Sequence, residues 1–136
     1  MKIDVLPENL HDAAVKLWHE TGLTRPWNDP AADLRRAVEG DDSAVLGAVD
    51  DGTLVATAMV GHDGHRGWVY YLAVAPDRQG AGVGRLMMAA CEDWVAGRRI
   101  PKIQLMVRAD NTAAAGFYER LGYTDAEVVV LGKRLG

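Results

Sequence analysis

The sequence predicts a mixed α/β domain: a mixed sheet covered by helices on both faces, in the order β-α-α-β-β-β-α-β-α-β. Three observations carry this. Runs suited to strands recur ("SAVLGAVD", "TLVATAMVG", "WVYYLAVA"). Apolar stripes at helical spacing stand between other strand-like runs. A glycine-spaced stretch, "RQGAGVG" at Arg78–Gly84, joins the end of a strand to the start of a helix. The length of 136 residues fits a single domain, residues 1–136, with one core.

The elements follow in order. Lys2 to Leu6 reads as a short strand. Leu10, Ala14, Leu17 and Trp18 form a helical stripe, and Gly22 suits the end of that helix. In "RPWNDP", Asp29 is a good N-cap with Pro30 at the first helical position, which makes "PAADLRRAVE" a second helix closed by Gly40. Asp51-Gly52 is a turn signal between two strands. "GHDGHRG" turns the chain again into "WVYYLAVA". After the glycines, Leu86, Ala90 and Trp94, with Met87 and Cys91 beside them, mark the buried face of a third helix. "KIQLMV" is the next strand. Asp110 or Asn111 caps a fourth helix with the stripe Ala114, Phe117, Tyr118 and Leu121, ended by Gly122. "AEVVVLGKRL" reads as a last strand.

Bulk properties narrow the function. A net charge of −4 and a pI near 5.5 argue against nucleic acid, which requires a basic face, and suit a cationic partner such as an amine or basic peptide. One cysteine excludes an internal disulfide framework. "MKIDVLPENL" lacks the apolar core of a signal peptide, and no apolar run is long enough to span a bilayer, so a cytoplasmic protein is expected.

"RQGAGVG" can be tested against phosphate-binding templates. The P-loop requires Lys followed by Ser or Thr after its last glycine, but Gly84 is followed by Arg85-Leu86. The dinucleotide fingerprint would start at Gly80 and requires glycine where Arg85 stands. The pattern Q/R-x-x-G-x-G/A fits, with Gln79, Gly82 and Gly84. The shared physics is a loop without side chains in front of a helix whose first N–H groups point at an anion. Arg78 and Arg85 can add charge. A bare turn needs one glycine at positive φ rather than three on alternate positions.

"LAVAPDRQGAGVGRLMMAA" and "VRADNTAAAGFYERLGY" resemble the two halves of the acetyl-CoA signature of the GNAT N-acetyltransferases, at the usual separation and in the usual element order. "RPWNDP", "DGHRG" and the ending "LGKRL" resemble the small bacterial YpeA-type subfamily. The resemblance implies acetyl-CoA as donor, with its pyrophosphate on the backbone of Gln79, Gly80, Ala81, Gly82, Val83, Gly84 and Arg85. It implies that the pantetheine arm pairs with Leu72, Ala73 and Val74 like an extra strand, in a splay between that strand and "KIQLMV". A backbone N–H near Leu72 to Val74 would polarise the thioester carbonyl. Asn111 matches an asparagine that contacts the pantetheine region, and would also serve as a helix N-cap. Tyr118 matches the tyrosine that protonates the departing thiolate; on its residues alone it reads as a core aromatic.

The implied reaction is direct attack by an amine on the acetyl carbonyl in a ternary complex. Two glutamates that serve as base in other members are missing: "WVYYLAV" has none, and Met106 stands where one is found before "VRxxN". A water chain, Glu20, Asp29, His62 or His65 is left to take the proton. His62, Asp63 and His65 read as a polar hairpin loop rather than a metal site, and no metal is expected. Trp27 reads as a cleft or packing residue, and Cys91 as a structural thiol. Asp41, Asp42, Asp50 and Asp51 read as solvated loop charges. The short stretch after Gly122 leaves the acceptor site open, or completed by a second copy of the chain as a homodimer. Two rival readings are a GNAT-fold sensor that binds CoA or acyl-CoA without turnover and a transferase of longer acyl groups.

Overall fold

The computed structural model describes residues 1–136. Its elements are β1 (Lys2–Val5), a 3-10 turn (Glu8–Leu10), α1 (His11–Glu20), α2 (Pro30–Glu39), β2 (Ser43–Asp50) and β3 (Thr53–His62). There follow β4 (Gly67–Val74), a 3-10 turn (Pro76–Arg78), α3 (Val83–Gly97), β5 (Ile103–Leu105) and α4 (Thr112–Arg120). The sheet has five strands in sequence order; the first four are antiparallel and β5 joins β4 in parallel. The chain divides into two compact units, Met1–Met106 and Val107–Gly136.

Local signals placed most elements. Asp29 Oδ1 accepts from the Ala32 amide at 3.1 Å, with Pro30 opening α2 as expected. Asp51 and Gly52 both have positive φ, 51° and 78°, which is the two-residue hairpin turn that an Asp-Gly pair favours.

In the first unit, one sheet face is covered by α1 and α2. Leu6, Ala14, Leu17, Trp18, Leu34, Ala37, Val45 and Ala73 form one buried cluster there. The other face carries α3 through Val83, Met87, Met88, Cys91 and Val95. Met87 and Cys91 are buried as expected, but the stripe is centred on them and Val95 rather than on Leu86, which is 48% exposed. Trp94 is half-buried and lies under the Arg98 guanidinium, 3.5 Å from its ring centre. Gly67 lets α3 approach β4 closely, since a Cβ there would stand 2.6 Å from a Val95 methyl.

Thr57 on β3 is the only polar residue among the buried ones. Its hydroxyl accepts from Trp18 Nε1 at 2.8 Å and donates to the Tyr71 carbonyl at 3.0 Å. The Trp18 ring also stacks on Tyr71, with centroids 4.0 Å apart and planes 16° from parallel.

Two expected strands differ. "KIQLMV" forms a strand only over Ile103–Leu105, and "AEVVVLGKRL" forms none. The reason lies in pairing. β-propensity reports a side chain's fit to a pleated surface, and the surface must be supplied by a neighbour. The second unit contains α4 and no strand. Val128, Val129, Val130 and Leu131 are accordingly 63–91% exposed. Each forgoes most of the roughly 1.5–3 kcal/mol that full burial of such a side chain contributes.

Candidate active site

The site begins where β4 loses a neighbour. β5 pairs with β4 only over Gly67–Val69; from Tyr70 to Val74 that edge of β4 has no partner strand. β3 pairs along the other edge, with one interruption. Met59 faces Tyr70 and Thr57 faces Ala73, so Tyr71 and Leu72 stand against Ala58 alone. This is a β-bulge, and Tyr71 at its centre has φ +52°, rare for a bulky residue. The ladder resumes with Ala75 N–H donating to Val55 at 2.8 Å. Strand alternation then turns the polar groups of Val74 toward the open edge. The Gln79 side-chain amide occupies the Val74 carbonyl there, at 3.1 Å.

Gln79 opens the glycine loop. Gly80 and Gly82 have φ of 82° and 84°, a conformation in which side-chain-bearing residues are strained. Gln79, Gly80, Ala81 and Gly82 are exposed, Val83 at the start of α3 is buried, Gly84 is half-buried and Arg85 is exposed. Gly82 is the N-cap of α3. Unlike Asp29 and Asn111, which cap α2 and α4 with side-chain oxygens, it offers no side-chain acceptor. The first α3 amide to reach a carbonyl is that of Leu86, which bonds Gly82 at 3.2 Å. Helix geometry leaves the amides of Val83, Gly84 and Arg85 without intrahelical partners, pointing out past two residues with no Cβ. That arrangement has the geometry and dipole that favour an anion. Arg78, expected to add charge to this loop, instead pairs with a carboxylate: its guanidinium is 2.7 Å from Asp50 Oδ2. This bond holds the Asp50 carboxyl below the usual carboxylate range and raises Arg78 further. Asp50 is therefore a fixed partner rather than a solvated loop charge.

On the α2 face of the sheet lies an open cavity of about 650 Å³. The bulge shapes it: it breaks the strand alternation, so Trp68, Tyr70 and Tyr71 all line this one space. The carboxylates of Asp33, Asp41, Asp42 and Asp63 line it too, against Arg36 and His62. Tyr71 Oη donates to Asp33 Oδ2 at 2.8 Å, and burial followed by that carboxylate pushes the phenol well above its ordinary pKa. Burial also raises Tyr70, with a smaller contribution from Asp63. Asp63 accepts from the backbone of Arg66 and His65 and from Trp68 Nε1, which together lower its carboxyl to about 2.

The architecture is that of known acetyltransferases. The model of the acetyltransferase (GNAT) family matches residues 10–123. The chain belongs to the GNAT family. An acetyltransferase of Pectobacterium atrosepticum is 42% identical over 135 residues, covering 99% of this chain and 96% of that protein. An uncharacterized N-acetyltransferase of Yersinia pestis is 40% identical with the same coverage. Among solved structures, the aminoglycoside acetyltransferase AAC(6')-Iy, in complex with a bisubstrate analogue of CoA and acetylneamine, superposes with a TM-score of 0.85. It covers 99% of this chain and 98% of its own, at 17% identity, which shows the shared fold. Family membership makes this chain an acetyl-CoA-dependent N-acetyltransferase.

As a GNAT protein, the chain can be read residue by residue. The first unit brings together Leu72, Ala73 and Val74 on the open edge of β4 and Gln79 to Arg85 in the loop that follows it. Asn111 and Tyr118 belong to the second unit, at the start and on the last turns of α4. Asn111 Oδ1 caps α4 through the Ala114 amide at 3.1 Å. Tyr118 is half-buried and makes edge-on ring contacts with Phe117 and Tyr123, at 5.0 and 5.9 Å between centroids.

The four expected bases are otherwise engaged or lie outside the cavity. Glu20 pairs with Lys16 on the surface of α1, and Asp29 caps α2. His62 Nδ1 accepts from the Gly64 amide at 3.0 Å, which leaves its proton on Nε2, 3.5 Å from Asp42. His65 is exposed in the hairpin turn that Asp63 closes. No group of three or more His, Cys, Asp or Glu is placed to hold a metal ion. Trp27 is 56% exposed and lies outside the cavity lining. Cys91 is fully buried, and burial pushes its thiol up to about 12, so it is a structural thiol.

Sequence reasoning did not single out Asp33, Thr57, Trp18 or Tyr71 as parts of the site. The adjacent tyrosines in "WVYYLAV" carry a signal in hindsight: two large aromatics in succession within an alternating strand ask for a bulge.

Replacing Gly82 with Val tests the loop. A β-branched residue resists φ near 84° and places methyl groups in front of the α3 amides. Acetyl-CoA affinity, measured by calorimetry, is expected to fall at least ~10-fold. Unchanged affinity would show that the phosphates bind elsewhere.

Proposed function

We propose that this chain, working as a single domain in the cytoplasm, transfers acetyl from acetyl-CoA directly to the primary amine of a cationic small molecule or peptide. The observation that carries the reading is the open edge of β4 running straight into an uncapped helix N-terminus. A pantetheine arm has the alternating amide donors and acceptors to pair with the former, and a pyrophosphate has the charge for the latter. The match of the family model to residues 10–123, which span both units, supports treating them as one domain.

The amine enters by the cavity on the α2 face. Carboxylates of Asp33, Asp41, Asp42 and Asp63 give it a negative field, and the faces of Trp68, Tyr70 and Tyr71 suit an ammonium group. The aminoglycoside acceptor of the superposable enzyme is also a polycation, consistent with this class. With the expected bases engaged or distant, the ammonium proton leaves to water in the open cavity, and the free amine attacks. A C–N bond forms, the attacking nitrogen gives up a second proton to water, the C–S bond breaks, and the thiolate of CoA takes a proton from Tyr118, which regains one from water. Acetyl-CoA supplies only the activated acetyl group. On the protein side, an amide of the Leu72–Val74 stretch polarises the carbonyl, Asn111 contacts the pantetheine region, and Tyr118 donates the proton to sulfur.

The assay is thiol release across a panel of polyamines, amino sugars and basic peptides. Tyr118→Phe is expected to lower kcat by ~100-fold with the KM for acetyl-CoA within twofold. Wild-type turnover in that variant would remove Tyr118 from the chemistry. Tight acetyl-CoA binding with no acceptor-dependent release across the panel would make the protein a sensor.

A second copy of the chain is the proposed partner of the exposed segment Val128–Leu131. Asp125 and Glu127 precede this apolar run, and Lys133 and Arg134 follow it. Antiparallel pairing centred on Val130 sets Glu127 opposite Lys133 and covers the valines. Light scattering is expected to show a dimer that Val130→Asp converts to monomer. A wild-type monomer at tens of micromolar, on the order of ordinary weak-dimer constants, would refute the pairing.

A further inference from the structure

We infer that Thr57 and Trp18 are positioning residues for acetyl transfer, holding the Tyr71–Leu72 peptide so that the Leu72 N–H faces the thioester carbonyl. The inference rests on the donor site proposed above. It starts from the buried hydroxyl of Thr57, which lies opposite the bulge in β4. An indole N–H can only donate. The Thr57 oxygen, 2.8 Å from Trp18 Nε1, therefore accepts there, and its own proton is directed to the Tyr71 carbonyl 3.0 Å away. In a regular ladder a β3 amide would hold a carbonyl on this edge. Here the pairing skips from Met59–Tyr70 to Thr57–Ala73, and the hydroxyl takes the place of the missing amide.

The direction of the next amide follows from peptide planarity. No peptide bond is cis, so the Tyr71 C=O and the Leu72 N–H point opposite ways across one plane. The carbonyl is drawn toward β3. The amide consequently points to the other edge of β4, where pairing with β5 has already ended at Val69. A backbone donor aimed at an unpaired edge is the element that an acyl-transfer site needs.

Tyr71 is held in its left-handed conformation by contacts at both ends. Its ring stacks on Trp18 at 4.0 Å and its hydroxyl bonds Asp33 at 2.8 Å. Trp18 thus supports the bulge twice, through its ring on the Tyr71 side chain and through its N–H on the Thr57 hydroxyl. Trp18 and Thr57 are both fully buried, so neither touches substrate; they act through the peptide they hold.

Thr57→Val keeps the shape of the side chain and deletes the hydroxyl. Difference infrared spectroscopy of carbonyl-labelled acetyl-CoA reads the hydrogen bond to the thioester directly and needs no acceptor. The wild-type complex is expected to lower the carbonyl stretch relative to free acetyl-CoA, and the Thr57→Val complex to return it most of the way. With an accepted amine in hand, kcat falls about tenfold while acetyl-CoA affinity stays within twofold, because the loop is untouched. Thr57→Ser restores both. Should Thr57→Val not fold, Trp18→Phe keeps a stacked ring and removes the N–H, and is expected to move both readouts in the same direction. An unchanged stretch and an unchanged kcat in a folded variant overturn the inference. A wild-type complex with no displaced stretch overturns the amide's role in the proposed mechanism as well, and absence of acetyl-CoA binding overturns the donor site itself.

Discussion

β4 has two neighbours only as far as Val69. The proposed donor site follows from that early parting of β4 and β5. A strand inside a sheet has its amides and carbonyls taken; a strand with one free edge presents a row of unpaired groups that water or a ligand must satisfy. The residues after Val69 have no partner strand on that edge, where only the Val74 carbonyl is taken, by Gln79, and the chain then turns into a helix whose first amides have no intrahelical partner. Two kinds of backbone vacancy stand end to end. One matches the amides of a pantetheine arm and the other the oxygens of a pyrophosphate. The proposed donor site requires no charged side chain at either place, which is compatible with a net charge of −4.

The same strand divides two electrostatic environments. Along its free edge the donors are dipoles of the main chain. On its α2 face the bulge collects three aromatic rings beside several carboxylates. In the proposed reaction the donor takes the free edge and the acceptor's ammonium the α2 face. The strained backbone at Tyr71 is the point where the two sides connect. Its side chain belongs to the cavity, and its peptide carries the amide of the free edge. Such strain persists because Trp18, Thr57 and Asp33 over-determine it.

Much of this was legible in the residues. Asp29-Pro30 and Asp51-Gly52 fixed a helix start and a hairpin through local chemistry alone, and the glycines of "RQGAGVG" marked a left-handed turn into a helix start. Features that depend on a partner were not legible. "AEVVVLGKRL" has the composition of a strand, yet its unit offers no strand to pair with. The α3 stripe was centred on Leu86 rather than on Met87 beside it, because the two are similarly apolar and only the contact with the sheet chooses between them. The bulge lock was invisible for a different reason: Trp18 and Thr57 lie 39 residues apart, and only the fold brings an indole to a hydroxyl.

The central claim is that the backbone of β4 and the α3 N-terminus hold the donor. Amide-resolved NMR with and without acetyl-CoA tests it most directly. The account predicts that the amides of Leu72, Val74, Val83, Gly84 and Arg85 shift and gain protection from exchange on binding. Saturated acetyl-CoA binding that leaves those amides unmoved, with the shifts gathered elsewhere, would contradict it.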